Sequence, residues 1–332
     1  YWIAPYSTTT TKYIVHAGLA AVYVDDGTTR TDITGTAPTG AIDNRWTGGT
    51  SNGVLIMNNG VDQPLFWGGN VANNLATLTG WDSNERAKVI RPFKSFLIAL
   101  HITKTSTVYP HMVKWSDSAV PGAIPTSWDE TSTINDAGEI DLAETSDVLV
   151  DCLPLGDVNI VYKEASMYGM TQSGAGEYKF RFQRLPGAYG LLAAGCVVDT
   201  PIGHVLMSAG DIVAHQGGQP QSIANGAIRK YVFGNINATY YKRSFVTSNP
   251  SKNEVWICFP FGSSSVVDRA VVWNWVDKSW AIRSLTSATY GCVGQTTIAD
   301  SWDSDTGTWD SDPSTWNEND YSPAEHRLFM SH

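Results

Sequence analysis

The sequence predicts an all-β chain, a β-propeller-like array of small antiparallel sheets with at most one or two short helices in its loops. Three observations predict it. Short apolar strands recur, each followed by a turn and a second strand that ends near an aromatic residue or a His. Strand starts near residues 54, 96, 158, 204, 255 and 327 set a unit of roughly 40–70 residues, the length of a propeller blade with variable loops. The composition supplies 30 Gly, 13 Trp and only 16% charged residues, which suits many short strands joined by turns. Two β-sandwiches would also give many strands, but the repeated unit is a small sheet with a spacer and not a continuous meander.

In chain order, residues 1–3 and 12–15 are short apolar pieces, and 20–24 is a small strand closed by the Asp25-Asp26-Gly27 turn ahead of 30–34. Residues 52–67 read as strand, Asn58-Asn59-Gly60 turn and a second strand ending on Trp67, a clear hairpin signal. The plan repeats at 96–102 and 110–116 around a turn at 103–109, then at 157–162 and 166–170. Residues 204–208 and 212–215 follow around Ala209-Gly210-Asp211. Between them, 129–147 reads as an exposed acidic insertion. A helix is expected at 220–233, with Ile228, Tyr231 and Val232 on one face and Gly234-Asn235 as its stop.

The fullest unit is 253–285. Its first strand, 254–259, ends at Pro260, which cannot donate to a ladder. Strand 270–275 follows a Gly/Ser-rich loop, and 280–283 returns after a tight polar connection. Trp256, Trp273, Trp275 and Trp280 are expected to pack blades together, since three strands cannot stand alone in water.

A net charge of −10 argues against a surface built to grip phosphate backbones. Cys152, Cys196, Cys258 and Cys292 sit far apart in apolar or small-residue contexts, which favours buried free thiols over a disulfide framework or metal site. No run of about 18 apolar residues occurs, so stable membrane insertion is not expected. The chain does not begin with Met and ends within an apparent strand, so a single domain over 1–332, cut from a longer protein, is expected.

No catalytic or cofactor-binding residue stands out, because the nucleophile-elbow, phosphate-loop and zinc-protease motifs are all missing. His101 and His111 flank one hairpin turn without a third ligand, and satisfied strand histidines are the expected reading. Paired carboxylates such as Asp25/Asp26 and Glu139/Asp141 read as solvated turns. The best metal candidates are Asp303 and Asp305, within a tandem over 301–320 whose period is marked by Trp302, Trp309 and Trp316. The segment resembles half of a calcium loop but lacks its bidentate Glu. A loop whose indoles pack on the propeller body is the favoured alternative.

Several segments are familiar in order. R-T-D-I-T at 30–34, N-N-G-V-D-Q-P-L-F-W at 58–67, P-H-M-V-K-W-S-D at 110–117, G-A-I-R-K-Y-V-F-G-N-I-N at 226–237 and D-R-A-V-V-W-N-W-V-D-K-S-W at 268–280 resemble the tail nozzle (tail tubular protein B) family of short-tailed bacteriophages. That family is related to the packaged-DNA stabilisation and tail hub proteins. The resemblance implies a non-enzymatic virion structural protein of the tail, without cofactor. It implies a homohexameric ring below the portal and adaptor, in contact with the adaptor and other tail proteins such as fibres. Double-stranded DNA would pass through the lumen without sequence-specific binding, be retained during packaging and be released on infection. The acidic insertion and the Trp tandem are then candidates for contact with a neighbour or the adaptor. The competing expectation is a carbohydrate-active or carbohydrate-binding tail propeller acting on host surface polysaccharide.

Overall fold

The computed structural model describes residues 1–173, 179–295 and 326–332. Among the described residues there are six four-stranded antiparallel sheets and one two-stranded sheet, each built from strands consecutive in the chain. The six blades span residues 2–32, 47–77, 85–141, 149–184, 197–222 and 245–288. The two-stranded sheet pairs Tyr290–Gly294 with Arg327–Ser331. The first strands of successive blades lie side by side, and Tyr290–Gly294 sits between Phe245–Asn249 of the sixth blade and Trp2–Ser7 of the first. The circuit is therefore closed, with the first strand of each blade innermost, and the fold is a β-propeller.

The second strand of each blade explains why the sheets stack. Phe96–Lys104 sends Leu97, Ala99 and Ile102 into the core shared with the second blade. The alternate residues Ile98 and Leu100 enter the core shared with the fourth. Val54–Asn58 divides likewise, with Leu55 and Met57 toward the first blade and Val54 and Ile56 toward the third. A strand covered on both faces needs apolar residues at every position, which is why these strands read as unbroken apolar runs.

The turns follow local chemistry. After Val54–Asn58, the side chain of Asn59 accepts from the backbone N–H groups of Val61 and Asp62 at 3.0 and 2.8 Å, and Gly60 takes φ 76°. Only a residue without Cβ enters that region at little cost. The turn expected over 103–109 is much shorter. Phe96–Lys104 and Thr107–Trp115 run on to pair Lys104 with Thr107, so the connection is Thr105-Ser106, with Thr105 at φ 56°.

Two further elements differ from expectation. The helix runs from Gly226 to Phe233, because the Asn225 side chain caps it at the Ile228 N–H. Gln221–Ser222, inside the expected helix, instead pairs with Val213 and Ala214 as the outer strand of the fifth blade. Gly138–Asp141, within the acidic 129–147 segment, is the outer strand of the third blade, paired with Met112–Trp115. The segment is part excursion and part sheet.

Candidate functional site

The innermost strands converge on a buried ion pair near the propeller axis. Arg91, on the innermost strand of the third blade (Glu85–Phe93), donates from Nε and Nη2 to the two carboxylate oxygens of Asp151 at 2.9 and 2.8 Å. Asp151 lies on the fourth blade's innermost strand, Leu149–Leu155, and is buried. The guanidinium also donates to Gly48 O of the second blade at 3.2 Å, and Asp151 accepts from the Gly195 N–H ahead of the fifth blade at 2.9 Å. Four blades thus share one charge pair. Burial works against the charge on Arg91, but the Asp151 carboxylate overrides it and leaves the arginine pKa raised.

Glycines permit this approach. Gly48 has φ 150°, and a Cβ there would stand 2.1 Å from Ile56 O. Gly195 has φ 81°, and its Cβ would come within 3.1 Å of the Tyr290 ring, which belongs to the closing sheet. Tyr290 also lies 5.7 Å from the Phe245 ring and 6.4 Å from Trp2. Tyr290 thus packs at the seam where the closing sheet meets the first and sixth blades.

A second network joins the fourth and fifth blades. His204 and His215 face each other across one hairpin, and Tyr162 Oη lies 2.7 Å from His204 Nδ1 and 2.7 Å from His215 Nε2. The outer bonds fix the protons. His215 Nδ1 accepts from the Gly217 N–H at 3.1 Å, so its Nε2 carries the proton and donates to Tyr162. Tyr162 then donates to His204 Nδ1, and His204 Nε2–H donates to Pro154 O at 2.9 Å. Every polar atom is satisfied with both imidazoles neutral. Burial lowers the pKa of both, that of His215 to about 4 with further help from His204. Burial also raises the Tyr162 phenol.

The acidic segment has a structural partner. Lys114, buried, donates to Glu85 at 2.8 Å and to Glu130 at 2.9 Å, while Lys104 donates to Glu139 at 2.6 Å and Glu130 at 3.0 Å. Against a burial penalty that alone would raise it, its own backbone N–H and then the two lysines hold Glu130 at about 2.

Trp273 and Trp275 are buried in the core between the fifth and sixth blades, and Trp280 lies 6.1 Å from the Trp273 ring. Trp256 is half-buried and donates to Glu254 at 3.0 Å. Trp302, Trp309 and Trp316, with Asp303 and Asp305, lie outside the described residues. His101 sits at a bulge with φ 56°, its pKa lowered to about 4 by burial, then by Lys88 and, more weakly, His111. His111 Nδ1 is buried without a partner among the described residues. No group of three or more His, Cys, Asp or Glu among them is placed to hold a metal. All four cysteines are buried and free, and burial pushes the Cys152 thiol up to about 12.

Sequence reasoning passed over both buried networks, yet each leaves a trace. Asp151 is the one charge inside an apolar strand, and His204 and His215 face each other at the open end of a short hairpin. No helix among the described residues is long and apolar enough to cross a membrane. No family model matches the chain, and no curated protein matches it. Among solved structures, apo AztD from Citrobacter koseri superposes with a TM-score of 0.45 at 9% identity, over 86% of each chain. That likeness carries no argument about function.

Proposed function

We propose that the chain is a structural protein of a short phage tail, a propeller whose copies assemble into a hexameric ring that conducts and retains double-stranded DNA. The observation that carries this reading is the order of the nozzle-like segments and their places in the fold. Residues 58–67 bridge two strands of the second blade, 110–117 fall on the third, and 226–237 hold the helix. Residues 268–280 fall on the sixth blade. They thus lie in the second, third and sixth blades and in the helix ahead of the sixth, in the order in which the resemblance was read.

In this reading the DNA channel is the lumen of the hexameric ring, enclosed between copies of the propeller. The acidic balance of −10 suits a wall past which phosphates slide.

Electron microscopy of the purified chain, alone and with tail extract, tests the reading. Rings with six-fold symmetry are expected. A chain that stays monomeric in both samples would overturn it.

A further inference from the structure

A cleft of about 380 Å³, including its mouth, lies between the connection from the first to the second blade and the edge of the sixth. Arg45 and Arg243 line it, together with Asn44, Trp46 and Ser265. Arg45 donates from Nη1 to Arg243 O at 3.0 Å, and its guanidinium carbon lies 5.9 Å from the Tyr290 ring centroid. Its Nη2 is buried and has no hydrogen-bond partner among the described residues. Among the described residues no carboxylate forms an ion pair with Arg45, although Asp43 is two residues away. Asp43 instead accepts from Arg243 Nε at 2.6 Å, and Arg243 Nη1 donates to Ser265 O at 2.6 Å.

The two arginines are thus held side by side, one of them half-buried and without an ion-paired carboxylate among the described residues, in a chain of net charge −10. A buried guanidinium is tolerated where it is paired and its donors are satisfied. Arg45 meets that condition on one side only. A planar or tetrahedral oxyanion can accept in parallel from a guanidinium fork and supplies the charge that the fold leaves out. We propose that this cleft binds a small oxyanion, carboxylate or phosphate, through Arg45 and Arg243. Burial lowers the Arg45 pKa and the Arg243 charge adds to it, while Tyr290, Cys196 and Asp43 offset the effect only in part. Asp43 competes for Arg243 from the rim.

Equilibrium dialysis of the whole chain against labelled inorganic phosphate, with melting curves in acetate and in chloride at matched ionic strength, tests the site. One phosphate per chain, or a saturable rise in melting temperature with acetate beyond chloride, is expected. Binding of phosphate assigns a phosphate group. An acetate response alone assigns a carboxylate, such as an acidic side chain of a second copy. Arg45→Met should weaken binding at least tenfold. Asp43→Asn, at an exposed position, should tighten it several-fold by freeing Arg243. No binding of either anion above chloride overturns the proposal. Unchanged affinity in Asp43→Asn does so as well, even if Arg45→Met fails to fold.

Discussion

Tyr162 spends its one hydroxyl on two imidazoles, accepting from His215 and donating to His204 at 2.7 Å each. Tyr162→Phe leaves a donor on one ring and an acceptor on the other with no partner in the interblade core. A loss of about 2–4 kcal/mol is expected, since each orphaned buried group costs about 1–3 kcal/mol, and urea denaturation at neutral pH measures it. The same site sets an acid limit. A histidine titrates near 6.5 in the unfolded chain, and burial holds His215 at about 4. The unfolded chain therefore binds protons first, so stability is intact above about pH 6.5 and declines as pH falls toward 4. At about 1.4 kcal/mol per pKa unit, His215 alone accounts for a loss of about 3 kcal/mol by pH 4. Denaturation midpoints measured between pH 7 and 4.5 should fall, and His215→Gln should flatten that slope. An unchanged slope in the variant would place the acid sensitivity elsewhere.

At the scale of elements, the second strand of each blade carries the core. Leu206, fully buried in Gly203–Ser208, should cost about 2–5 kcal/mol when cut to Ala. Ala76, exposed on the two-residue outer strand of the second blade, should tolerate Ser within about 0.5 kcal/mol. Denaturant midpoints of the two variants give the comparison. The contrast also explains what could be read from the sequence. The starts near 54, 96, 158, 204 and 255 each mark the second strand of a blade, whose two covered faces force an unbroken apolar run, while 327 marks the half-buried partner strand of the closing sheet. Innermost and outermost strands were read only in part, because many of their residues are chosen for close approach or solvent. Thr47–Ser51 reads T-G-G-T-S, and Gly138–Asp141 reads G-E-I-D. The helix start was misplaced because the cap at Asn225 decides it, and Gln221–Ser222 finds a strand partner that lies outside the local sequence.

For the whole molecule, the Arg91–Asp151 pair ties four blades together around the axis. Arg91→Met strips the buried carboxylate of its counter-charge and should cost about 3–5 kcal/mol. Arg91→Met combined with Asp151→Leu should recover part of that, because no charge is then left stranded, although the Gly195 N–H loses its acceptor. Calorimetric melting of the single and double variants distinguishes the two outcomes. Residues 60 positions apart in sequence gave no local sign of this partnership. Asp151 was visible as the one charge in an apolar run and Arg91 as one of four charges in its strand, and the stacking of the third blade on the fourth brings them together.

The closing sheet has a temporal consequence. Tyr290–Gly294 pairs with Arg327–Ser331 and lies against Trp2–Ser7, so the innermost strand of the first blade is covered only by a strand that follows the sixth blade in sequence. The earlier blades are assembled from neighbours in sequence and can form as they emerge. Until the closing sheet docks, the six blades form an arc with two unpaired strand edges. At the edge presented by Trp2–Ser7, Ile3 is the core residue that waits for Cys292 to cover it.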